Sequence, residues 1–325
     1  MSALTTAPAA PAALAARPGV QALDDSSVTR TELVTPAMCG PNSLFVGQLG
    51  DWTWDAVSHA CATNAYDARS SSGDPVYLSF YYFHIRAGRD VHPLSLRFGD
   101  RLRVDSRVFG FGSESVLALH RVRHRDGLPA APIDPDEFYA YADPDSIYVE
   151  NFNRWIVRGR PDSNRDLARS SPVGLRYRHL STLPEQYSPR AAYTHARTRL
   201  TFRQREHTAP PTRLTVDYAV EPSRDLNGVG LLYFASYFSI TDWALLRLWR
   251  HLGRTDRSFL RRTVLDHRMC YLGNADADAV LSIELAAAPD PDDPAADVVD
   301  TVLRERSTGR TLAVSTQLIL REDAA

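Results

Sequence analysis

The sequence predicts an α+β protein made of two tandem lobes, each a long central helix wrapped by a curved antiparallel sheet. Three observations carry this. Residues 31–60 (TELVTPAMCGPNSLFVGQLGDWTWDAVSHA) and 217–247 (DYAVEPSRDLNGVGLLYFASYFSITDWALLR) repeat one order of features: short strand, Pro, Gly/Asn-rich turn, Trp-bearing apolar helix. Each is followed by long stretches of alternating apolar and polar residues, the mark of half-buried strands. The chain has 325 residues, more than one hydrophobic core usually organises, so two units are expected. A helix followed by meander strands, given twice, is the double hot-dog arrangement.

The elements follow in order. Residues 1–30 are rich in Ala and Pro and are interrupted by Pro8, Pro11 and Pro18, so they read as a disordered leader. No charged segment precedes an apolar one, and a signal peptide is not expected. The first lobe spans 31–159, with strands in VYLSFYYFHIRA, DRLRVDSRVFGFG, SVLALHRVRHR and SIYVENFNRWIVRG. In the second of these, Leu102, Val104, Ser106 and Val108 alternate with Arg101, Arg103, Asp105 and Arg107, giving one buried and one wet face. GLPAAPIDPDEFYAYADPDS reads as an exposed Pro/Asp loop. Residues 160–211 are polar, Arg-rich and aperiodic, and either link the lobes or lie across their interface. The second lobe takes residues 212–325, with strands in HRMCYLGNADADAVLSIELAA and VVDTVLRERSTGRTLAVSTQLILRE around the loop APDPDDPAAD.

Composition narrows the partners. The formal net charge is −2, and neither a nucleic acid nor a membrane surface is called for. No run of 18 apolar residues exists, so no membrane span is expected. Cys39, Cys61 and Cys270 show no metal or disulfide spacing, which fits a reducing cytoplasm. All basic residues are Arg and none is Lys, so any phosphate must be met by Arg.

Chemistry is expected at the turns before the two central helices, CGPNS with Asn42 and Ser43, and DLNGVG with Asn227, Gly228 and Gly230. Backbone N–H groups left unpaired at a helix N-terminus, aided by the helix dipole, form an oxyanion hole for a thioester carbonyl. Ordinary helix capping accounts for the same residue types. His59 reads as a core-edge histidine. Phe109-Gly110-Phe111-Gly112 reads as a hairpin turn, and Asp276 with Asp278 as a strand entry without the further ligands calcium needs. Nucleotide-binding, serine-hydrolase and zinc-protease motifs are absent.

The segments MCGPNSLFVGQLGDWTWDAVS, GDPVYLSFYYFHIRAGRD, LRFGDRLRV and VFGFGSESVLALHRVR resemble the N-terminal half of the LnmK-like acyltransferase/decarboxylases of leinamycin-type polyketide biosynthesis. The turn DLNGVGLLYFASYF is similar to the one that opens the central helix of hot-dog thioesterases. The resemblance implies decarboxylation of methylmalonyl-CoA, with delivery of the propionyl group to the phosphopantetheine arm of an acyl carrier protein and no metal or redox cofactor. It also implies an active-site tyrosine. Tyr66, in the turn beside Asn64 and Asp67, ranks ahead of Tyr77, at a strand start; Asp67 would take the hydroxyl proton. Tyr81 and Tyr82 read as packing aromatics. The alternatives are a thioesterase or dehydratase using Asp225 or Asp242, and a non-catalytic acyl-thioester binding module. The stretch from Arg190 to Arg205 is either a carrier-protein dock or a solvated linker. A homodimer of the two-lobed chain remains open.

Overall fold

The computed structural model describes residues 19–40, 42–124, 129–160, 163–205 and 210–321. The elements run β1 (Val20–Ala22), β2 (Ser27–Leu33), α1 (Asn42–Ala60), β3 (Tyr77–Arg86), β4 (Arg101–Gly110), β5 (Ser115–His124), α2 (Pro135–Ala140), β6 (Ser146–Arg160), β7 (Ser163–Arg169), α3 (Arg190–Arg199), β8 (Thr212–Ala219), α4 (Pro222–Asp225), α5 (Phe234–His251), α6 (Asp256–Leu260), β9 (Thr263–Tyr271), β10 (Val280–Pro289), β11 (Ala296–Glu305) and β12 (Thr311–Leu320).

The strands form one antiparallel sheet in the order β1-β2-β4-β5-β6-β3-β9-β12-β11-β10-β8, with β7 added on β6. This order contains the duplication. In the first lobe, strand β2, helix α1, strand β3 and the meander β4-β5-β6 give the sheet order β2-β4-β5-β6-β3. In the second, β8, α5, β9 and β10-β11-β12 give β8-β10-β11-β12-β9. The lobes meet where β3 pairs with β9, and the fold is the expected double hot-dog.

Helix α1 buries Phe45, Leu49, Trp52 and Ala56 on one side and Val46, Thr53, Val57 and Ala60 beside them, a stripe recurring at three and four residues. Asp51 and His59 face out. Helices α1 and α5 pack on each other and share a continuous core with both halves of the sheet. Gly50 sets their spacing: a Cβ there would lie 2.3 Å from Phe234 Cζ. The Phe234 ring stacks on Phe80 at 4.1 Å between centroids and on Phe83 at 5.9 Å.

Several expectations need correction. Residues 20–22 and 27–30, assigned to the leader, form β1 and part of β2, because Ser27–Leu33 pairs with β4 over its whole length; residues 1–18 lie outside the described residues. The Pro/Asp loop contains α2, whose Asp134 cap accepts from the N–H groups of Asp136 and Glu137 and whose Phe138 is buried. The segment 160–211 is not aperiodic throughout: it holds β7 and α3, and Leu183, Ala196 and Phe202 cover the sheet face opposite the long helices. The alternation of β4 fails at Asp105, which is fully buried because Thr29 donates to it at 2.8 Å and Arg123 at 3.1 Å. The three cysteines are free thiols. Among the described residues no helix is long and apolar enough to cross a membrane.

Candidate functional site

The seam between the lobes is closed at one end and open at the other. Residues Tyr82–Arg86 of β3 pair with β9. A register shift between Phe80 and Tyr82 then turns β3 away, and Tyr77–Phe80 keep only β6 as a neighbour. Into the gap come the turn before α5, the end of β9 and strand β7. They enclose a cleft of about 140 Å³, floored by Phe80, Phe234, Tyr237 and Tyr271 and rimmed by Tyr77, Asn227 and Asn274.

Tyr77 and Asn227, from different lobes, meet here: the Asn227 amide donates to the Tyr77 hydroxyl at 3.0 Å. Burial pushes the Tyr77 phenol up to about 12, against the hydrogen bond from Asn227, with Asp51 adding to the rise. At neutral pH the hydroxyl therefore keeps its proton and is a hydrogen-bond donor.

The turn is held rigidly. Asn227 Oδ1 accepts from the N–H of Val229 at 3.1 Å and of Leu231 at 3.0 Å, and its carbonyl accepts from Gly230 N–H at 2.9 Å. Asn274 donates to and accepts from the Leu232 backbone, both at 2.9 Å. Asn164 donates to the carbonyls of Gly230 and Ala275, each at 2.8 Å. This corrects the expectation of free backbone donors. The N–H groups of residues 229–231 are consumed within the turn, because an Asn at its start accepts them itself. A Cβ added at Gly228 would meet nothing within 4 Å, and Gly230 takes φ +75° beneath the Arg158 guanidinium. What the turn offers the cleft is the Asn227 side chain.

Tyr66 lies nearby. Its ring and that of Tyr77 both pack on Trp54, at centroid distances of 5.3 and 4.9 Å. The Tyr66 side chain is exposed, and its hydroxyl donates to Asp55 Oδ1 at 2.8 Å. Asp55 Oδ2 accepts from the buried Arg30 at 3.0 Å. The expected role of Asp67 is thus misplaced, since its carboxylate takes Arg69 at 3.0 Å. Residue 55 is one helical turn from Asp51 and faces the sheet, which the spacing around Tyr66 alone could not reveal.

Asn42 and Ser43 open α1, but their side chains lie outside the described residues. His59 is occupied at the surface by the Asp24 carbonyl at 2.8 Å. Asp225 is buried and accepts from Tyr218 at 2.7 Å, Glu221 N–H at 2.8 Å and Arg224 at 3.1 Å. Asp242 pairs with buried Arg262 at 2.8 Å. Neither lines the cleft. Asp276 accepts from Asn164 N–H at 2.6 Å and pairs with Arg165 at 3.3 Å. At the rim Arg165 also reaches Glu305 at 2.8 Å, and Arg310 donates to the Asn274 carbonyl at 2.7 Å. Trp54, Asp55, Asn164 and Asn274 carried no motif in the sequence. Their roles come from elements distant along the chain.

Known structures share this architecture at low identity. An acyl-ACP thioesterase from Bacteroides thetaiotaomicron is similar with TM-score 0.52 and 10% identity, covering 90% of this chain and 97% of its own. A protein assigned as an oleoyl thioesterase from Lactobacillus plantarum gives 0.57 and 12%, covering 92% and 97%. The 12:0-ACP thioesterase of Umbellularia californica gives 0.51 and 11%, covering 91% and 94%. No curated protein matches the sequence significantly. The family model of the LnmK N-terminal Hot Dog Fold domain matches residues 29–204. That match covers more than half of the chain, from β2 through α3, and the chain therefore belongs to the LnmK N-terminal hot dog fold family.

Proposed function

We propose that the protein decarboxylates methylmalonyl-CoA and transfers the propionyl group to an acyl carrier protein, without a metal or redox cofactor. One observation carries the reading: among the described residues lining the cleft, none is Asp, Glu, His or Cys. Hydrolysis needs a group that activates water, and dehydration needs one that abstracts a proton. Decarboxylation needs neither. The Cα–carboxylate bond breaks, its electron pair enters the thioester carbonyl, and CO2 leaves. The enolate oxygen then has to be stabilised by donors fixed beforehand, since catalysis of this kind depends on preorganisation, and a proton taken up at Cα from water gives the propionyl thioester. The protonated Tyr77 hydroxyl and the Asn227 amide, held in place by the pinned turn, are suited to that role. The aromatic floor keeps the carboxylate in apolar surroundings, which favours its loss as a neutral gas. A cleft of about 140 Å³ suits a short acyl group such as methylmalonyl, whereas drug-sized ligands occupy roughly 300–1,000 Å³.

Tyr66, which does not line the cleft but packs on Trp54 beside Tyr77, is proposed as the acyl acceptor at the cleft's mouth. Its oxygen would attack the propionyl carbonyl, displace the CoA thiolate and pass its proton to Asp55; the carrier thiol would then take the acyl group from the tyrosyl ester. Mass spectrometry of enzyme, methylmalonyl-CoA and carrier protein tests the whole reading. Propionyl-carrier and CO2 are expected, and methylmalonate or propionate with free CoA would instead establish hydrolysis.

A further inference from the structure

A second cleft, of about 510 Å³, lies between the β4–β5 turn, β6, the end of β7 and the start of α3. Three arginines converge on it, Arg154, Arg169 and Arg190, and none forms an ion pair among the described residues. The Arg154 Nε is buried without an acceptor. By contrast, Arg203 reaches Asp300 at 2.7 Å and Arg205 reaches Asp292 at 3.2 Å. Glu114 is the one carboxylate among the described lining residues, so three guanidinium groups face a single negative charge, and an anion seated among them relieves the remaining repulsion. In a chain without lysine, such a cluster is the form a phosphate site has to take.

The walls are aromatic. Phe111 packs edge-on against Phe152 at 5.3 Å, Arg190 lies over Phe111 at 5.6 Å, and Arg154 lies over Phe152 at 5.3 Å. Aromatic rings interleaved with guanidinium groups bind planar bases by stacking as well as phosphates by charge. Neighbouring residues tie this cleft to the one at the seam. Arg154 covers the Tyr81 ring at 4.6 Å, Tyr81 lines the smaller cleft, and β7 supplies Asn164 and Leu167 to one and Arg169 to the other.

We propose that this cleft binds the phosphorylated nucleoside end of the CoA thioester, with the pantetheine arm passing Tyr81 to the seam. The concave shape, with Phe111 and Phe152 beside the arginines, favours a nucleotide over the acidic surface of a protein. The assignment rests on the acyl-thioester reading of the seam, but its test does not require turnover.

Adenosine 3′,5′-bisphosphate titrated calorimetrically into the full-length protein should bind, and the Arg169→Ala/Arg190→Ala double variant should bind it at least tenfold more weakly. In the wild type the KM for methylmalonyl-CoA should lie at least tenfold below that for methylmalonyl-pantetheine, a gap that closes in the variant. Arginine-dependent nucleotide binding without turnover would sustain this site and reject the proposed reaction. No nucleotide binding, binding that survives the substitutions, or equally strong binding of inorganic phosphate would overturn it. So would a carrier protein that depends on these arginines while the nucleotide does not.

Discussion

Asn227 of the second lobe donates its side-chain amide to the Tyr77 hydroxyl of the first at 3.0 Å, so the central polar contact of the cleft exists only when both lobes are in place. The same Asn227 closes its own turn by accepting two backbone N–H groups. Its amide nitrogen is therefore aimed by the backbone of one lobe at a side chain of the other.

Removing the Tyr77 hydroxyl should slow decarboxylation by about 10²–10³-fold, the usual cost of losing one oxyanion donor. Tyr77→Phe assayed for CO2 release checks this. Asn227→Ala should cost about tenfold or more on the same scale. Gly228→Ala should leave the rate near wild type, since a Cβ there meets nothing within 4 Å.

The pH profile follows from the elevated Tyr77 phenol, pushed up to about 12 by burial. An ordinary tyrosine loses its proton near pH 10, roughly. With the native value raised, the hydroxyl stays a donor across the alkaline range, and decarboxylation should show no tyrosine-linked fall below about pH 10. A descending limb centred below about pH 9 that disappears in Tyr77→Phe would contradict the donor role.

Tyr66→Phe should abolish propionyl transfer to the carrier while CO2 release persists, read by separate measurement of the two products. Asp55→Asn should slow transfer and also destabilise the protein by up to about 3–5 kcal/mol, because the buried Arg30 keeps only the more distant Glu32 carboxylate, at 3.5 Å. Denaturant unfolding measures the second effect. Asp67→Asn, which touches only the surface arginine Arg69, should alter neither.

Gly50→Ala drives a methyl group into the Phe234 ring and should cost about 1–3 kcal/mol as overpacking. Combining it with Phe234→Leu should recover part of the loss, since the two positions touch and their effects are coupled. Equal stability of Gly50→Ala and wild type in urea would show that the helices can separate freely there.

His84 and Asp266 join β3 to β9 on the face opposite the long helices, at 2.8 Å. Burial opposes the charged imidazole, but Asp266 outweighs it and raises His84; Asp266 in turn is lowered by His84 and Arg268 despite its burial. A raised histidine stabilises the fold fully below its unfolded value, about 6.5, and loses that contribution as pH rises through the native value. A lowered aspartate contributes above about 3.9 and loses it on acidification. Both contributions are present together between those two values. Urea unfolding should therefore show wild type exceeding His84→Gln by more at about pH 5.5 than at about pH 9.

Much of the fold was legible because it rests on local periodicity. The stripe of α1 from Phe45 to Ala60 and the alternation of β4 follow from which residues shun water, and the repeated order of strand, turn and helix follows from the duplication. The exceptions were residues whose local sequence signals the wrong environment. Asp105 reads as solvent-facing until Arg123 and Thr29 come from neighbouring strands to meet it. Residues 27–30 read as leader until β4 supplies their hydrogen bonds.

The candidate site divides the same way. Tyr66, Tyr77 and Asn227 stood out as residue types able to handle an acyl group, and the absence of lysine assigned any phosphate to arginine. Which residues work together was set by packing across the seam. A register shift near Tyr81 splays β3 from β9, Trp54 gathers the two tyrosines, and Asp55 rather than Asp67 takes the Tyr66 proton bond. Periodicity records whether a side chain is buried, but not what it meets there. Partners 150 residues apart, as Tyr77 and Asn227 are, are chosen by how the two lobes close on each other.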